Sequence, residues 1–142
     1  MGEEVAGGAG ATRDWRDVEA PGLDDLAALA RNAFAELPEP FRALCGEVVF
    51  RVEDWADDET LDELGIAHPI ELMGLFRGLA TTLDPATGQE PNAVTLYRRA
   101  ILDYWAEHEE TLGTIVRHVL VHEIGHHLGL SDADMEAIEG RA

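Results

Sequence analysis

The segment from Thr111 to Leu128 constrains the fold of this chain more than any other part of it. It is the stretch that fits a helix best, and Gly129 follows it where a helix would end. His122 and His126 lie four residues apart near its end. At helical pitch two such side chains lie one above the other on one face. The segment therefore predicts a helix carrying two imidazoles aimed at one point, as a tetrahedral zinc site needs.

Glu123 follows the first of these histidines directly in the sequence His-Glu-Ile-Gly-His. One residue along a helix is a turn of about 100°, so Glu123 can stand beside a metal without binding it. This is where a base must be to take a proton from a water on the metal. We therefore predict that Glu123 is the general base of a hydrolase.

The residues after the histidine pair predict a third ligand. Gly129 lies three residues after His126 and Asp132 six after, so the pattern reads His-Glu-x-x-His-x-x-Gly-x-x-Asp. A glycine can adopt a left-handed conformation that ends the helix and reverses the chain toward the metal. With either Asp or His allowed in the last position, a chain of this composition is expected to contain about 0.0004 such patterns by chance. Asp132 is the predicted third ligand, with a fourth position left for water, and Asp134 is the alternative.

The extended motif resembles the metzincin clan of zinc peptidases, in its variant with an aspartate as third ligand. More closely, the chain is similar to a family of short bacterial zincin-like metallopeptidases over roughly residues 22–139. The matching stretches are 52–55, 72–78, 94–99 and 121–132. The resemblance implies a minimal zincin-like α+β fold, with a small sheet of about three strands packed on an active-site helix and flanking helices.

The same resemblance implies one Zn²⁺ per chain, with His122, His126 and Asp132 as ligands, Glu123 as base and a peptide or protein as substrate. The chain departs from full metzincins, which place a Met-containing turn well downstream of the third ligand. Here only ten residues follow Asp132, and Met135 lies three beyond it. We interpret Met135 as an ordinary core residue.

The remaining elements follow from hydrophobic periodicity and turn residues. Predicted helices cover residues 23–37, 101–108 and 132–139, predicted strands 47–52, 70–77 and 93–98, a short turn 41–45, and loops 53–63 and 82–92. Residues 1–20 are rich in Gly, Ala and charge and are predicted to be a flexible tail, which leaves 21–142 as the domain. This order implies an α+β layer fold.

Charge and composition exclude some classes of partner. There are 29 acidic and 10 basic residues, all of the latter Arg, for a net charge of −19, which argues against nucleic acids and anionic membranes. No apolar run approaches the ~20 residues of a membrane span, and we see no signal peptide. The single cysteine, Cys45, excludes an intramolecular disulfide. We expect a cytoplasmic protein, with a monomer favoured, and neither nucleic acid nor membrane as partner.

Two other classes of function stay open beside peptide-bond hydrolysis. A non-catalytic zinc-binding or interaction module would explain the small size, which leaves little room for a substrate cleft. The bacterial ribosomal-RNA maturation endonucleases resemble the histidine spacing. They carry a third His in place of Asp132 and a Gly where Glu123 stands, and the net charge also speaks against RNA.

Four further residues could contribute to a site. His127 adjoins the pair and is interpreted as a supporting residue, with an alternative ligand or a transition-state donor as the other possibility. His118, one turn before His122, could line the cleft, although a surface residue is the favoured interpretation. Tyr97 could hydrogen-bond an oxyanion from a substrate-aligning edge strand, although a half-buried strand aromatic is the favoured interpretation. Cys45 could block zinc, but a buried free thiol is more common.

Overall fold

The computed structural model describes residues 14–78 and 92–141, and this part of the chain forms six α-helices and three strands. The helices are α1 (Leu23–Ala35), α2 (Glu39–Cys45), α3 (Asp58–Leu64), α4 (Arg98–Glu107), α5 (Leu112–Leu128) and α6 (Asp132–Arg141). The strands are β1 (Val48–Glu53), β2 (Gly74–Arg77) and β3 (Asn92–Tyr97). The predicted α+β class with a sheet of three strands is confirmed.

The three strands form one mixed sheet in the order β1-β3-β2. β3 runs parallel to β1 and antiparallel to β2, so that Val94 lies opposite both Phe50 and Phe76. All residues of β3 except Thr95 are buried, as expected for a strand covered on both faces. Within the described residues, β1 and β2 are therefore the edges of the sheet.

Helix α5 lies in the core, with α1, α6 and β2 packed against it. A helix that is apolar around most of its circumference is a buried one. The buried residues of α5 are Ile115, Val116, Val119, Leu120, Val121, Ile124 and Gly125. Its polar residues are concentrated on the remaining face toward the C-terminal end, which carries the histidines. The fold thus presents that face while the rest of the helix is held by packing.

Both ends of α5 have clear local causes. The hydroxyl of Thr111 accepts a hydrogen bond from the Thr114 N–H at 3.1 Å, which satisfies a free donor of the first turn. At the other end Gly129 has φ 81°, in the left-handed region. Its N–H donates to the His126 carbonyl, and the Leu130 N–H donates to the Gly125 carbonyl at 2.9 Å. The predicted helix and its predicted stop at Gly129 are confirmed.

The prediction of a solvated loop over residues 53–63 is wrong, because the second half of it belongs to α3. Asp57 caps this helix by accepting a hydrogen bond from the Thr60 N–H at 2.8 Å. Acidic residues in the first turn also favour a helix N-terminus. The buried side chain of Leu61 fastens the helix to the domain. The acidic residues at positions 57–59 therefore mark the N-terminus of a helix and not a solvated loop.

Other predicted boundaries shift by smaller amounts. The predicted strand over residues 70–77 begins only at Gly74, because Pro69–Glu71 forms a 3₁₀ turn. The predicted turn over 41–45 is the helix α2, and α4 begins at Arg98, directly after β3. The loop predicted over 82–92 lies outside the described residues except for Asn92, which begins β3.

The predicted tail over residues 1–20 lies mostly outside the described part of the chain. Of its described residues, Trp15–Asp17 forms a 3₁₀ turn that Asp14 caps. The domain boundary at residue 21 stays a prediction. In residues 14–78 and 92–141, no helix is long and apolar enough to cross a membrane.

Candidate metal centre

Three imidazoles follow one another along the polar face of α5. The ring centroids of His118 and His122 are 3.9 Å apart, and those of His122 and His126 are 5.7 Å apart. His122 is half-buried, whereas His118 and His126 are exposed. The structure therefore brings the two motif histidines to one face, and adds His118 one turn before them.

Glu139, on α6, lies between the first two of these rings. Its Oε2 is 3.0 Å from Nε2 of His122, and its Oε1 is 3.1 Å from Nδ1 of His118. A carboxylate only accepts hydrogen bonds, so both ring nitrogens donate. In the part of the chain that the structure describes, these three residues form a group whose ligand atoms all lie within 4.8 Å of one another.

Asp132 begins α6 and lines a cavity of about 490 Å³ together with the residues of that group. The lining residues are His118, His122, Asp132, Glu136 and Glu139. Asp132 is exposed, and its carboxylate is not part of the compact group. His126 is neither in the group nor among the lining residues. His122 is common to the predicted ligand set and to the observed group, and the set of His122, His126 and Asp132 stays a prediction.

Asp134, the alternative third ligand, has a local structural role. Its Oδ2 accepts a hydrogen bond from the Ser131 N–H at 3.2 Å, and its own N–H donates to the Ser131 hydroxyl at 3.1 Å. Reciprocal bonds of this kind form a capping box, which here starts α6. The carboxylate is thereby engaged at the helix N-terminus, and this favours Asp132 over Asp134 as a ligand.

Glu123 lies half-buried between α5 and the edge strand β2. Burial raises the pKa of its carboxyl group, and the nearby imidazole of His126 lowers it by a smaller amount. A methyl group on Gly74 would lie 2.7 Å from Cγ1 of Val119 and 3.5 Å from Cγ of Glu123. The missing side chain at Gly74 thus lets β2 pass close to Glu123. A carboxyl pKa raised toward neutrality suits a general base.

Tyr97 occupies a different position from the one that its candidate role requires. β3 is the central strand, so the edge strand beside α5 is β2. The tyrosine side chain is 4 % exposed, and burial is the main cause that raises its pKa. Its burial supports the interpretation of Tyr97 as a packed strand aromatic.

Three other candidates are accounted for by packing. The ring of His127 lies against Phe76, with centroids 4.4 Å apart. Cys45 is buried in the core, and its thiol donates to the Phe41 carbonyl at 3.2 Å. Met135 is fully buried against Gly125 of the motif, where an added methyl group would lie 2.5 Å from its Sδ. The interpretation of Met135 as a core residue is confirmed.

Glu139 and Glu136 were missed in the sequence. Their place depends on the angle at which α6 returns across α5 after Gly129, and no local pattern gives that angle. One signal was present: Asp132, Glu136 and Glu139 follow one another at steps of four and three, which puts three carboxylates on one face of α6.

The donor chemistry of this region fits a zinc ion. Imidazole nitrogens and carboxylate oxygens are the ligands of many catalytic zinc sites, and here they converge on one cavity. A family model described as zincin-like metallopeptidase matches residues 45–142, from the end of α2 through α6. A comparison with curated proteins found no match. The family match spans well over half of the chain and includes every residue of the candidate centre, and the chain therefore belongs to the zincin-like metallopeptidase family.

Proposed function

We propose that this protein hydrolyses peptide bonds with one zinc ion held by His122, His126 and Asp132, and with Glu123 as the general base. The observation that carries the proposal is the placement of Glu123. Glu123 directly follows His122 on α5 and is half-buried. Its side chain lies beside Gly74, at the start of the edge strand β2. Membership of a family that is zinc-dependent in general supports the choice of metal.

A bound zinc ion supplies Lewis acidity, which polarises a peptide carbonyl and acidifies water. The carboxylate of Glu123 takes a proton from the attacking water as the new bond to the carbonyl carbon forms. The same carboxyl group then delivers that proton to the leaving amine nitrogen, so Glu123 ends the cycle as it began. Burial favours this shuttle, because it raises the pKa of Glu123 and so makes its carboxylate a stronger base.

We expect the substrate peptide to bind along the outer edge of β2. In the described residues no strand pairs with the outer edge of β2, and extended peptides add to such edges through main-chain hydrogen bonds. Gly74 at the start of this strand packs next to Glu123. A peptide aligned on β2 would therefore run past the general base. We therefore assign substrate alignment to β2 and not to β3, the strand of Tyr97, because both edges of β3 are already paired.

The cavity beside His122 carries three carboxylates, from Asp132, Glu136 and Glu139. A cavity lined by several negative charges attracts positively charged substrates. This supports peptides with Lys or Arg near the cleaved bond as the preferred substrate class. The net charge of −19 acts in the same direction over a longer range.

A second candidate function is a zinc-binding module without catalysis. It is favoured by one observation: the carboxylate of Glu139 lies 3.0 Å from Nε2 of His122. A fourth protein ligand in that place would leave no position for water, which is the mark of a structural site.

The test compares Glu123→Ala with the wild-type protein in zinc content and in cleavage of a peptide library. We expect both to hold one zinc per chain and only the wild type to cleave. Glu110→Gln is the matched control, since Glu110 is exposed and lies before α5. Equal cleavage by Glu123→Ala would overturn the mechanism, and a wild type with stoichiometric zinc and no cleavage would favour the module.

A further inference from the structure

We propose that His118, His122 and Glu139 form a second position for a divalent cation, which shares His122 with the catalytic set. The position itself does not depend on peptidase activity. Its mutual exclusion with the catalytic set does rest on the proposed function, because only there is His122 a ligand of the catalytic metal.

The distances within this group are close to those of a metal site. Ligand atoms of a tetrahedral zinc site with bonds of about 2.1 Å lie about 3.4 Å apart. The two nitrogen–oxygen pairs that Glu139 makes are 3.0 and 3.1 Å long, and all three ligand atoms lie within 4.8 Å of one another. The two pairs are therefore about 0.3–0.4 Å shorter than that spacing, so a cation requires each pair to widen only slightly.

The two positions differ in their distance from the base. The catalytic histidines are His122 and His126, whereas the second position uses His118 and His122. Moving the pair by four residues shifts its midpoint about 6 Å along the helix axis, away from the catalytic pair. Because both positions use the imidazole of His122, a cation in one displaces a cation from the other. The second position would therefore hold the metal in an inactive state.

A purely structural role for Glu139 makes a different set of predictions. In that case its hydrogen bonds only fasten α6 to α5, and its removal would weaken folding without changing metal binding. Exposure does not distinguish a metal-binding role from a purely structural one. The side chain of Glu139 is 19 % exposed and that of His118 is 53 % exposed, and both values are compatible with either role. Metal affinity does separate them.

The experiment measures zinc affinity of the full chain by chelator competition, in the double variant His126→Gln/Asp132→Asn that lacks two catalytic ligands. We expect it to bind one zinc per chain. Adding His118→Gln or Glu139→Gln should weaken that binding about 100-fold or more, because one of three ligands is lost. Adding Glu136→Gln, which changes the same cavity but not the group, should change it less than about 3-fold.

Two results would overturn the proposal: no zinc binding by the double variant, or binding that is insensitive to both His118→Gln and Glu139→Gln. If circular dichroism shows that the double variant does not fold, His126→Gln with and without His118→Gln answers the same question, because both residues are exposed. Two zinc ions per wild-type chain would contradict the shared use of His122. Cleavage and its dependence on Glu123 judge the proposed function separately, so either proposal can fail alone.

Discussion

Glu139 on α6 accepts a hydrogen bond from His122 on α5, with 3.0 Å between Oε2 and Nε2. The two residues are 17 positions apart in the chain, and the turn at Gly129 brings them together. A residue of α6 thus contacts the first histidine of the His-Glu-x-x-His motif. The stability of the α5–α6 pair and the properties of the site are therefore linked through one side chain.

Replacing Glu139 should destabilise the metal-free protein. Glu139→Gln keeps the shape of the side chain but weakens two hydrogen bonds, so we expect the free energy of unfolding to fall by about 1 kcal/mol. Urea denaturation followed by circular dichroism measures this. Glu136→Gln on the same helix is the control, since Glu136 is exposed and should show no measurable change. Equal stability of the two variants would contradict the observed contact.

Adding a methyl group to Gly74 should separate β2 from α5. It would lie 2.7 Å from Cγ1 of Val119, which has no room to yield within the core. We expect Gly74→Ala to lower the free energy of unfolding by about 1–3 kcal/mol and to reduce peptide cleavage, because the strand beside Glu123 is displaced.

The matched control for this substitution is Gly113→Ala in the first turn of α5, where an added methyl group meets nothing within 4 Å. It should raise the free energy of unfolding by up to about 1 kcal/mol and leave cleavage unchanged. If Gly74→Ala behaved like Gly113→Ala, the close packing of β2 on α5 would be wrong.

Gly125 and Met135 should be energetically coupled. Gly125→Ala places a methyl group 2.5 Å from Sδ of Met135, and we expect a loss of about 1–3 kcal/mol from overpacking. Met135→Ala leaves a cavity and should cost about 2–5 kcal/mol. In the double variant the new methyl group enters that cavity, so the combined loss should be smaller than the sum of the two. Additive losses in a double-mutant cycle would refute the contact.

The thiol of Cys45 should be inert in the folded protein. Burial raises its pKa from 9.0 to about 11, so at pH 8 the native chain holds about 100-fold less thiolate than the unfolded one. The rate of modification by iodoacetamide should therefore rise with pH up to about 11. A plateau near pH 9 in the native protein would contradict this assignment.

The same pKa shift affects stability. Below pH 9 the thiol is neutral in both states, and its burial contributes fully to the native state. As the pH rises from 9 to about 11, the thiol ionises in the unfolded chain before it ionises in the native protein, so the free energy of unfolding falls. We expect this fall to be absent in Cys45→Ala.

Parts of the fold that depend on neighbouring residues were readable in the sequence. The helix α5 and its end at Gly129 followed from local hydrogen bonding and from one left-handed residue. The helix α3 was missed because the acidic residues were interpreted as a solvated run, although Asp57 at its start is a strong capping residue. Both helices therefore depend on residues that are close together in the sequence.

Features that depend on the packing of distant elements were not readable. The central position of β3, which removes Tyr97 from any substrate edge, follows from strand pairing over more than 40 residues. The contact of Glu139 with His122 follows from the angle between two helices. The sequence therefore predicted the motif residues, but not which other side chains the fold brings to them.

The most direct test of the zinc peptidase site is the position of the metal. Crystals of the zinc-loaded wild-type protein would be measured at the zinc absorption edge, and the anomalous difference map would locate the ion. We expect the main peak between His122, His126 and Asp132, with an open fourth position toward Glu123. A single peak between His118, His122 and Glu139, or no peak at His122, would contradict the catalytic assignment.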